Sequence, residues 1–292
     1  RFPAVQIGML APDEHDLMEA AVSLAHESDA TILIVGTNSD WETEGNDRDS
    51  LQLPLRQNEL IEKVCEANKN TVVILNTGSP CEMPWNDKAE AILQCWFPGQ
   101  EFGNSLADII FGHVNPSGKL PTTFPVKLED TPAFKTYPGK DLQMDYEEGL
   151  YIGYRWYEKE KILPLYPFGH GLSYTSFDYS NFRAIPPKGT SSVAALEVNI
   201  TNTGSVRGKE VVQCYSSVQN SKIDRPLKEL KKFQKIELAP GESKKIIFEV
   251  NERDLSYWNE ETKNWQVEPA QYIFELGSSS EDIRGSVEVW LG

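Results

Sequence analysis

The stretch ATILIVG, at Ala30–Gly36, decides the fold class, because a continuous apolar run that ends in glycine is typical of a buried strand in a parallel sheet. TVVILNTG at Thr71–Gly78 repeats the pattern, and AILQCW at Ala91–Trp96 predicts a third strand. Apolar residues around these runs recur at helical spacing and so predict amphipathic helices. Alternating strands and helices predict an α/β layered domain with a mostly parallel sheet. The predicted helices are DEHDLMEAAVSLAHES (Asp13–Ser28, with Leu17, Ala20, Ala21, Leu24 and Ala25 on one face), LRQNELIEKVCEAN (Leu55–Asn68) and GQEFGNSLADIIFG (Gly99–Gly112).

The pattern changes at about Asp178, where strand-like alternation replaces the helical spacing. Segments such as VAALEVNITNTG, at Val193–Gly204, alternate apolar and polar residues and end in turn signals. Short strands separated by such turns predict an antiparallel β-sandwich. This part of the chain is therefore expected to be all-β and to serve a structural role.

Composition excludes several classes of function. The 292 residues carry a formal net charge of −16, which disfavours binding to nucleic acid or to anionic lipid. No apolar run approaches the roughly 18–20 residues that a membrane-spanning helix requires. The four cysteines form no CxxC pair and the four histidines are scattered, so buried free thiols are favoured and no metal site is expected.

The densest group of reactive side chains lies in the polar loop Thr37–Asp49, which follows the first predicted strand. Ligands of parallel sheets bind beyond the carboxyl ends of the strands, so this loop and those beginning at Thr77 and Phe97 are expected to line the ligand edge. A solvated acidic surface is the competing interpretation. Spacing alone does not rank the acids of the loop, which are Asp40, Glu42, Glu44, Asp47 and Asp49.

Glycoside hydrolysis requires two carboxyl groups: one protonates the leaving oxygen, and in retaining enzymes the other attacks the anomeric carbon from about 5–5.5 Å away. A loop carboxylate suits the proton donor, and an indole such as Trp41 suits stacking on a sugar face. No second carboxylate stands out elsewhere in the chain. The signatures GxSxG, the P-loop and HExxH are absent, which disfavours other hydrolytic mechanisms.

Several motifs in a fixed order resemble one known family. WETEGNDR at Trp41–Arg48 is similar to the family loop E-G-x-D-R, and WFPGQEFGNSLADIIFGHVNPSGKLPTTFP at Trp96–Pro125 is the most specific match. The chain resembles the C-terminal region of glycoside hydrolase family 3, and most closely the β-glucosidases that carry a sugar-binding insert of the protective-antigen type. The other matching segments are TGSPCEMPW (Thr77–Trp85), GYRWYE (Gly153–Glu158), YPFGHGLSYTSF (Tyr166–Phe177), RPLKELKKF (Arg225–Phe233) and LAPGESKKIIFEV (Leu238–Val250).

The resemblance implies roles for particular residues of the acidic loop. Glu44 falls on the acid/base of the family, and Glu42 is the competing candidate. The expected substrate-binding residues are Trp41, Asp47 and Arg48. Because two carboxyl groups suffice for the reaction, no cofactor and no metal is implied. The implied substrate is a β-linked glucoside or oligosaccharide.

The resemblance also implies a domain order. The family core consists of a (β/α)8-type barrel with the nucleophilic aspartate, an α/β sandwich and a fibronectin type III-like β-sandwich. Residues 1–12, which include RFPAVQIGML, are expected to end a preceding insert or linker strand. Residues 13–175 are expected to form the α/β sandwich and residues 176–292 the β-sandwich, whereas the barrel is expected to be missing.

Three functions stay open at this point. The first is the C-terminal part of a retaining exo-acting β-glucosidase, with an active site that is incomplete without the barrel. The second is a β-xylosidase or another exo-glycosidase of the same family, because the residues that select the sugar lie mostly in the barrel. The third is a non-catalytic structural or sugar-binding module. The β-sandwich is expected to brace the core through Arg225, Lys228 and Glu229, and no signal assigns a compartment.

Overall fold

The structure, a computed structural model, describes residues 14–45, 47–189 and 191–292. The segment RFPAVQIGML and its expected role as the end of an insert lie outside these residues. The chain divides into two compact units, the first ending at Gly99 and the second running over Gln100–Gly292. Helices and parallel strands build the first unit, and antiparallel strands build the C-terminal part of the second. The predicted order of an α/β layer followed by an all-β sandwich is confirmed.

In the described residues of the first unit, three strands form a parallel sheet and two helices accompany it. Its elements are α1 (Glu14–Glu27), β1 (Thr31–Gly36), α2 (Gln57–Ala67), β2 (Thr71–Asn76), a 3-10 turn at Asn86–Lys88 and β3 (Ala91–Gln94). The strand order is β1, β2, β3, with Thr31 paired to Thr71 and Val72 paired to Ala91, so the carboxyl ends of all three strands meet at one edge. β3 ends before the predicted Trp96, because that residue adopts a positive φ of 57°.

The sheet is buried unevenly, since β2 lies in the centre and β1 at an edge. Val73, Ile74 and Leu75 of β2 are completely buried. Ile32 and Ile34 of β1, on one face of the strand, are 48% and 54% exposed. The expectation of a buried strand is therefore wrong for these two isoleucines, because the face of β1 on which both lie is not covered within the described residues.

The two helices of this unit pack against each other. The predicted face of α1 is rotated in the structure: Met18 and Ala25 are buried, whereas Leu17 and Leu24 are 53% and 67% exposed. Asn68, at the end of α2, donates a hydrogen bond from Nδ2 to the carbonyl oxygen of Ala25 at 3.0 Å, which ties the two helices together. The buried residues of α2 are Ile61, Val64 and Cys65.

Short helices and irregular segments precede the sandwich. The predicted helix over Gly99–Gly112 is present, but its first turn, Gly99–Glu101, is a 3-10 helix, and α3 covers Phe102–Ile110. Gly112, with a φ of 73°, follows the end of α3, where a left-handed residue is usual. The other helical elements are Leu128–Asp130, Pro132–Lys135 and α4 (Tyr154–Glu160).

The C-terminal sandwich consists of two antiparallel sheets. Its strands are β4 (Phe177–Ile185), β5 (Ser192–Asn202), β6 (Gly208–Val218), β7 (Glu229–Leu238), β8 (Ser243–Asn251), β9 (Tyr257–Asn259), β10 (Asn264–Gln266), β11 (Ala270–Gly277) and β12 (Ile283–Leu291), with a short helix α5 (Glu252–Leu255). One sheet has the order β12, β11, β6, β7 and the other β4, β5, β8, while β9 and β10 form a separate pair. The core draws residues from both sheets, among them Leu196, Val212, Ile246 and Phe274.

Ion pairs attach α4 to the sandwich within the second unit. Lys228 Nζ lies 3.0 Å from Glu158 Oε1. Glu229 Oε1 lies 3.3 Å from Nη2 of Arg155, which also belongs to α4. Lys228 and Glu229 thus lie at a contact with the segment before the sandwich, as expected. Arg225 pairs with Glu268 inside the sandwich at 3.1 Å, and its carbonyl oxygen accepts a hydrogen bond of 3.3 Å from the hydroxyl of Tyr151, so it also lies at this contact.

The cysteines agree with the sequence expectation. All four are free thiols; Cys65, Cys81 and Cys214 are buried and Cys95 is partly buried. Burial raises the pKa of the Cys214 thiol to about 12, so this thiol stays protonated at neutral pH. None of the helices in the described part of the chain is long and apolar enough to cross a membrane.

Glu158 is the buried acid of the α4 contact. Its side chain is 9% exposed, and burial raises the pKa of its carboxyl group to about 7; Lys228 opposes this rise, while Glu281 and Glu275 add to it. The folded chain therefore holds this proton up to about pH 7, whereas the unfolded chain loses it near pH 4.5. The higher pKa of Glu158 in the folded chain stabilises the fold fully below pH 4.5. This stabilisation is lost as the pH rises through about 7.

We expect Glu158→Gln to reduce the loss of stability between about pH 5 and pH 8, because glutamine does not titrate. The urea midpoint of the chain, followed by circular dichroism at both pH values, measures this loss. Glu160→Gln, at an exposed position of the same helix, is the matched control and should keep the original pH dependence. An unchanged pH dependence in Glu158→Gln would contradict the raised pKa.

Candidate active site

The end of β1 is fixed by close contacts at the carboxyl edge of the sheet. Gly36 approaches β2 so closely that an added Cβ would lie 2.1 Å from the carbonyl oxygen of Asn76, so only glycine fits there. The side-chain amide of Gln57 accepts a hydrogen bond from Gly36 N at 2.8 Å and donates one to Gly36 O at 2.9 Å. The loop Thr37–Asp49 therefore starts from a fixed point beside the end of β2.

Glu42 connects this loop to the loop that follows β2. Its Oε1 accepts hydrogen bonds from the hydroxyl of Thr37 at 2.5 Å and from the backbone N–H of Gly78 at 3.1 Å. Arg48 Nη1 lies 4.0 Å from the same oxygen. Only 15% of the Glu42 side chain is exposed, so neighbouring protein atoms cover most of it.

Arg48 makes a second connection between the two loops. Its Nη1 donates a hydrogen bond to the hydroxyl of Ser79 at 2.7 Å, and its side chain is 14% exposed. A third connection is a backbone hydrogen bond of 2.8 Å that the N–H of Glu82 donates to the carbonyl oxygen of Leu51. The second loop is itself anchored by Trp85, which is completely buried and donates an indole hydrogen bond of 2.9 Å to α2. The acidic loop is thus held at several points along its length.

Glu44 lies between the two anchored residues and differs from both. It is exposed, and within the described residues it makes no hydrogen bond and no ion pair. Trp41 is 37% exposed, and Asp47 is exposed as well. The structure therefore brings Glu42 and Arg48 together. The other three expected site residues, Trp41, Glu44 and Asp47, are exposed.

The buried thiol of Cys81 lies near the charged side chains of this edge. Burial raises the pKa of this thiol to about 12; Arg48 opposes the rise and Glu42 adds to it. The thiol is therefore protonated at neutral pH and does not act as a nucleophile. Within the part of the chain that the structure describes, no group of His, Cys, Asp and Glu side chains is arranged to hold a metal ion.

Sequence reasoning assigned no role to Thr37, Gly78, Ser79 or Phe97, which complete this network. At Gly78 an added Cβ would lie 2.4 Å from Glu42 Oε2 and 2.6 Å from Phe97 Cε2. Phe97 belongs to the loop after β3, so the loops after all three strands meet at this glycine. A glycine two residues after a buried strand can indicate a close approach of other groups to the backbone, and this signal could have identified Gly78.

Comparison with known families assigns both halves of the chain. The family model described as Glycosyl hydrolase family 3 C-terminal domain matches residues 10–174, which is more than half of the chain. The chain belongs to glycosyl hydrolase family 3. A second model, the fibronectin type III-like domain, matches residues 210–280. The parallel sheet with its helices therefore belongs to the family 3 C-terminal domain, and the antiparallel sandwich is a fibronectin type III-like domain.

Curated relatives of this family 3 chain include two β-glucosidases. The chain is 44% identical over 272 residues to thermostable beta-glucosidase B of Acetivibrio thermocellus, which covers 92% of this chain and 36% of that protein. It is 44% identical over 283 residues to a beta-glucosidase of Kluyveromyces marxianus, covering 95% of this chain and 33% of that protein. The chain therefore spans about one third of the length of these relatives.

Solved structures of family 3 enzymes share the fold of this chain. The crystal structure of the Kluyveromyces marxianus β-glucosidase superposes with a TM-score of 0.91 at 42% identity, covering 97% of this chain and 33% of that one. A β-glucosidase from Streptomyces venezuelae in complex with D-glucose superposes with a TM-score of 0.89 at 39% identity, covering 95% and 36% of the two chains. Both structures therefore cover nearly the whole of this chain.

We expect Gly78→Ala to destabilise the folded chain by about 1–3 kcal/mol, because the added methyl group displaces Glu42 and Phe97 from their contacts. Urea unfolding of the chain measures the change. Gly45→Ala is the matched control in the facing loop, since an added Cβ at Gly45 has no neighbour within 4 Å. Equal stability of the two variants would contradict the close packing around Gly78.

Proposed function

We propose that this chain supplies the general acid/base, Glu44, of a retaining exo-acting β-glucosidase that releases glucose from the non-reducing end of β-glucosides. The observation that carries the proposal is the state of Glu44: an exposed carboxyl group without a partner in the described residues, at the ligand edge of a parallel sheet. Membership of family 3 supports glycoside hydrolysis, and the names of the relatives support glucose as the sugar.

The proposed reaction has two steps. In the first, the Glu44 carboxyl group protonates the glycosidic oxygen while a nucleophilic carboxylate bonds to the anomeric carbon and the aglycone leaves. In the second, the Glu44 carboxylate takes a proton from water, the water oxygen attacks the anomeric carbon, and the nucleophile is released. Glucose leaves with its β configuration retained, and Glu44 has regained its proton.

Glu44 is favoured over Glu42 because of the bonds that each side chain already makes. Glu42 would have to give up the hydrogen bonds from Thr37 and Gly78 before it could reach a glycosidic oxygen. Breaking two hydrogen bonds to a charged acceptor costs about 1.5–3 kcal/mol each. Glu44 has no such bonds to lose within the described residues, so it can turn towards a substrate freely.

The other expected substrate-binding residues are proposed to act in two ways. Trp41 presents a partly exposed indole to the sugar or the aglycone, and Asp47 is exposed for hydrogen bonding to hydroxyl groups. Arg48 is mostly covered by Ser79 and the facing loop, so its contribution is to hold the loop in place.

The nucleophile is proposed to be an aspartate of the barrel that the family resemblance implies. The open face of β1 supports a partner segment at this sheet, since Ile32 and Ile34 remain half exposed. Covering such a face recovers about 25 cal/mol for each Å² of apolar surface removed from water. On this proposal the complete active site forms when the barrel and the Glu44 loop meet across the substrate.

The isolated 292-residue chain is expected to hydrolyse no β-glucoside, because Glu44 alone can donate a proton but cannot form the glycosyl-enzyme. The assay follows release of nitrophenol from 4-nitrophenyl β-glucoside and β-xyloside. A full-length chimera, in which this chain replaces the segment that it matches in the Kluyveromyces marxianus enzyme, is the positive control. Clear turnover by the isolated chain would contradict the proposed division of the active site.

In the same chimera, Glu44→Ala is expected to lose at least about 100-fold in kcat/KM on cellobiose, whose leaving group needs a proton, and less than about tenfold on 2,4-dinitrophenyl β-glucoside, whose leaving group does not. Steady-state kinetics on both substrates measure the difference. Equal losses on the two substrates would reject Glu44 as the proton donor.

A further inference from the structure

We infer that Phe97 is a specificity-determining residue whose ring contacts the aglycone, so that the complete enzyme favours β-glucosides with an aromatic aglycone. The inference rests on the proposed function of this chain as the part of a β-glucosidase that supplies the acid/base. It holds whichever carboxylate of the acidic loop donates the proton. Phe97 belongs to the loop after β3, at the carboxyl edge of the parallel sheet.

The ring of Phe97 is a direct neighbour of the acidic loop. An exposed phenylalanine is ordinary in itself, and Phe97 is 53% exposed. Its location distinguishes it: a Cβ built on Gly78 would lie 2.6 Å from Phe97 Cε2 and 2.4 Å from Glu42 Oε2, so these two atoms are at most about 5.0 Å apart. An apolar ring and a carboxylate of the acidic loop therefore lie side by side at the ligand edge.

The short reach of the acidic loop makes this neighbourhood independent of the choice of proton donor. Glu42 lies next to the ring, and Glu44 follows two residues later, a span of at most about 7 Å of extended chain. A proton donor at either position holds the glycosidic oxygen close to this part of the sheet edge. A group bonded to that oxygen is then within reach of Phe97.

The geometry of a retaining reaction indicates which part of the substrate lies there. The nucleophile bonds to the anomeric carbon from the side opposite to the leaving aglycone, whereas the proton donor stands beside the leaving oxygen. On the proposed function this chain supplies the proton donor, and the implied barrel supplies the nucleophile. Side chains next to the acidic loop therefore face the aglycone. Trp41, which is 37% exposed in that loop, is the other aromatic residue on this side.

The backbone around Phe97 fixes the position of the ring before a ligand binds. Gln94, at the end of β3, donates hydrogen bonds of 3.1 Å from Nε2 to the carbonyl oxygen and to the hydroxyl of Thr77. Trp96 has a φ of 57°, a conformation that a bulky residue keeps only when its surroundings impose it. Pro98 restricts the backbone of Phe97 itself. A ring held in this way loses little conformational freedom when it binds an aglycone.

The test uses the full-length chimera and two substrates whose aglycones differ only in a phenyl ring. Benzyl and methyl β-glucoside both release an alcohol whose oxygen is bonded to a saturated carbon, so both leaving groups need a proton. The variants are Phe97→Ala, Phe97→Leu and the control Leu24→Ala. Leu24 is 67% exposed near the end of α1, which precedes the amino end of β1, so it lies at the opposite edge of the sheet.

We expect the ratio of kcat/KM on benzyl β-glucoside to kcat/KM on methyl β-glucoside to fall about tenfold in Phe97→Ala and about threefold in Phe97→Leu. Alanine removes the ring, whereas leucine retains apolar volume but offers no aromatic face. Leu24→Ala should keep the ratio within about twofold of the unchanged enzyme. Release of glucose measures both rates, and urea midpoints compare the folding of the variants.

Transfer of glucose to alcohols gives a second readout, because the acceptor enters the site that the aglycone has left. With 4-nitrophenyl β-glucoside as donor, the oxygen of benzyl alcohol or methanol bonds to the anomeric carbon, the enzyme carboxylate leaves, and the alcohol proton passes to the base. Phe97→Ala should lower the yield of benzyl β-glucoside relative to methyl β-glucoside by about tenfold. A distorted loop or a lost base lowers both products together, so the relative yield reports the aglycone contact.

Unchanged ratios in both readouts for Phe97→Ala would overturn the inference. Equal losses of activity on the two substrates would also overturn it, because the ring would then support the loop or another domain without touching the aglycone. Failure of the proposed function gives a different result: the unchanged chimera would cleave none of the three glucosides, and the inference would fall with it. If the inference alone fails, the unchanged chimera cleaves all three and only the expected changes in the ratios are missing.

Discussion

The contact between the Glu42 carboxylate and the N–H of Gly78 is the constraint on which the ligand edge depends. These residues are 36 positions apart in the sequence, and a single oxygen of Glu42 joins them at 3.1 Å. The same oxygen closes the turn that begins at Thr37. One acceptor thus sets both the internal shape of the acidic loop and its place on the sheet, so the loop has little freedom to move as a whole.

The parallel sheet makes this contact possible. β1 and β2 run in register from Thr31 and Thr71 to Gly36 and Asn76, so their carboxyl ends lie side by side. The ladder continues into the loop, where the N–H of Thr37 donates to the carbonyl oxygen of Asn76 at 3.1 Å. Only glycine permits such a close approach at the end of β1. The backbone therefore places the two loops, and the polar side chains then lock them.

The sequence is sufficient to predict the strands and helices, but not which other segments pack against them. The apolar run of β2 predicts a buried strand correctly, and Val73, Ile74 and Leu75 are completely buried. The similar run of β1 overestimates the burial of Ile32 and Ile34, since the elements that pack on each face of the sheet decide which side chains are covered. The exposed Leu17 of α1 shows the same effect in a helix. Contacts between segments that are distant in the sequence decide the burial of these side chains, and local periodicity carries no information about such contacts.

In the acidic loop, too, the sequence predicts the group of carboxylates but not how they differ. Spacing identifies several carboxylates at the ligand edge and cannot rank them, because rank depends on what each side chain already binds. Glu42 accepts two hydrogen bonds, whereas Glu44 makes none within the described residues. A retaining mechanism needs its two carboxyl groups about 5–5.5 Å apart. If the nucleophile comes from another domain, that distance can be kept only when the acidic loop keeps its place on the sheet, and the hydrogen bonds of Glu42 and Arg48 to the facing loop hold it there.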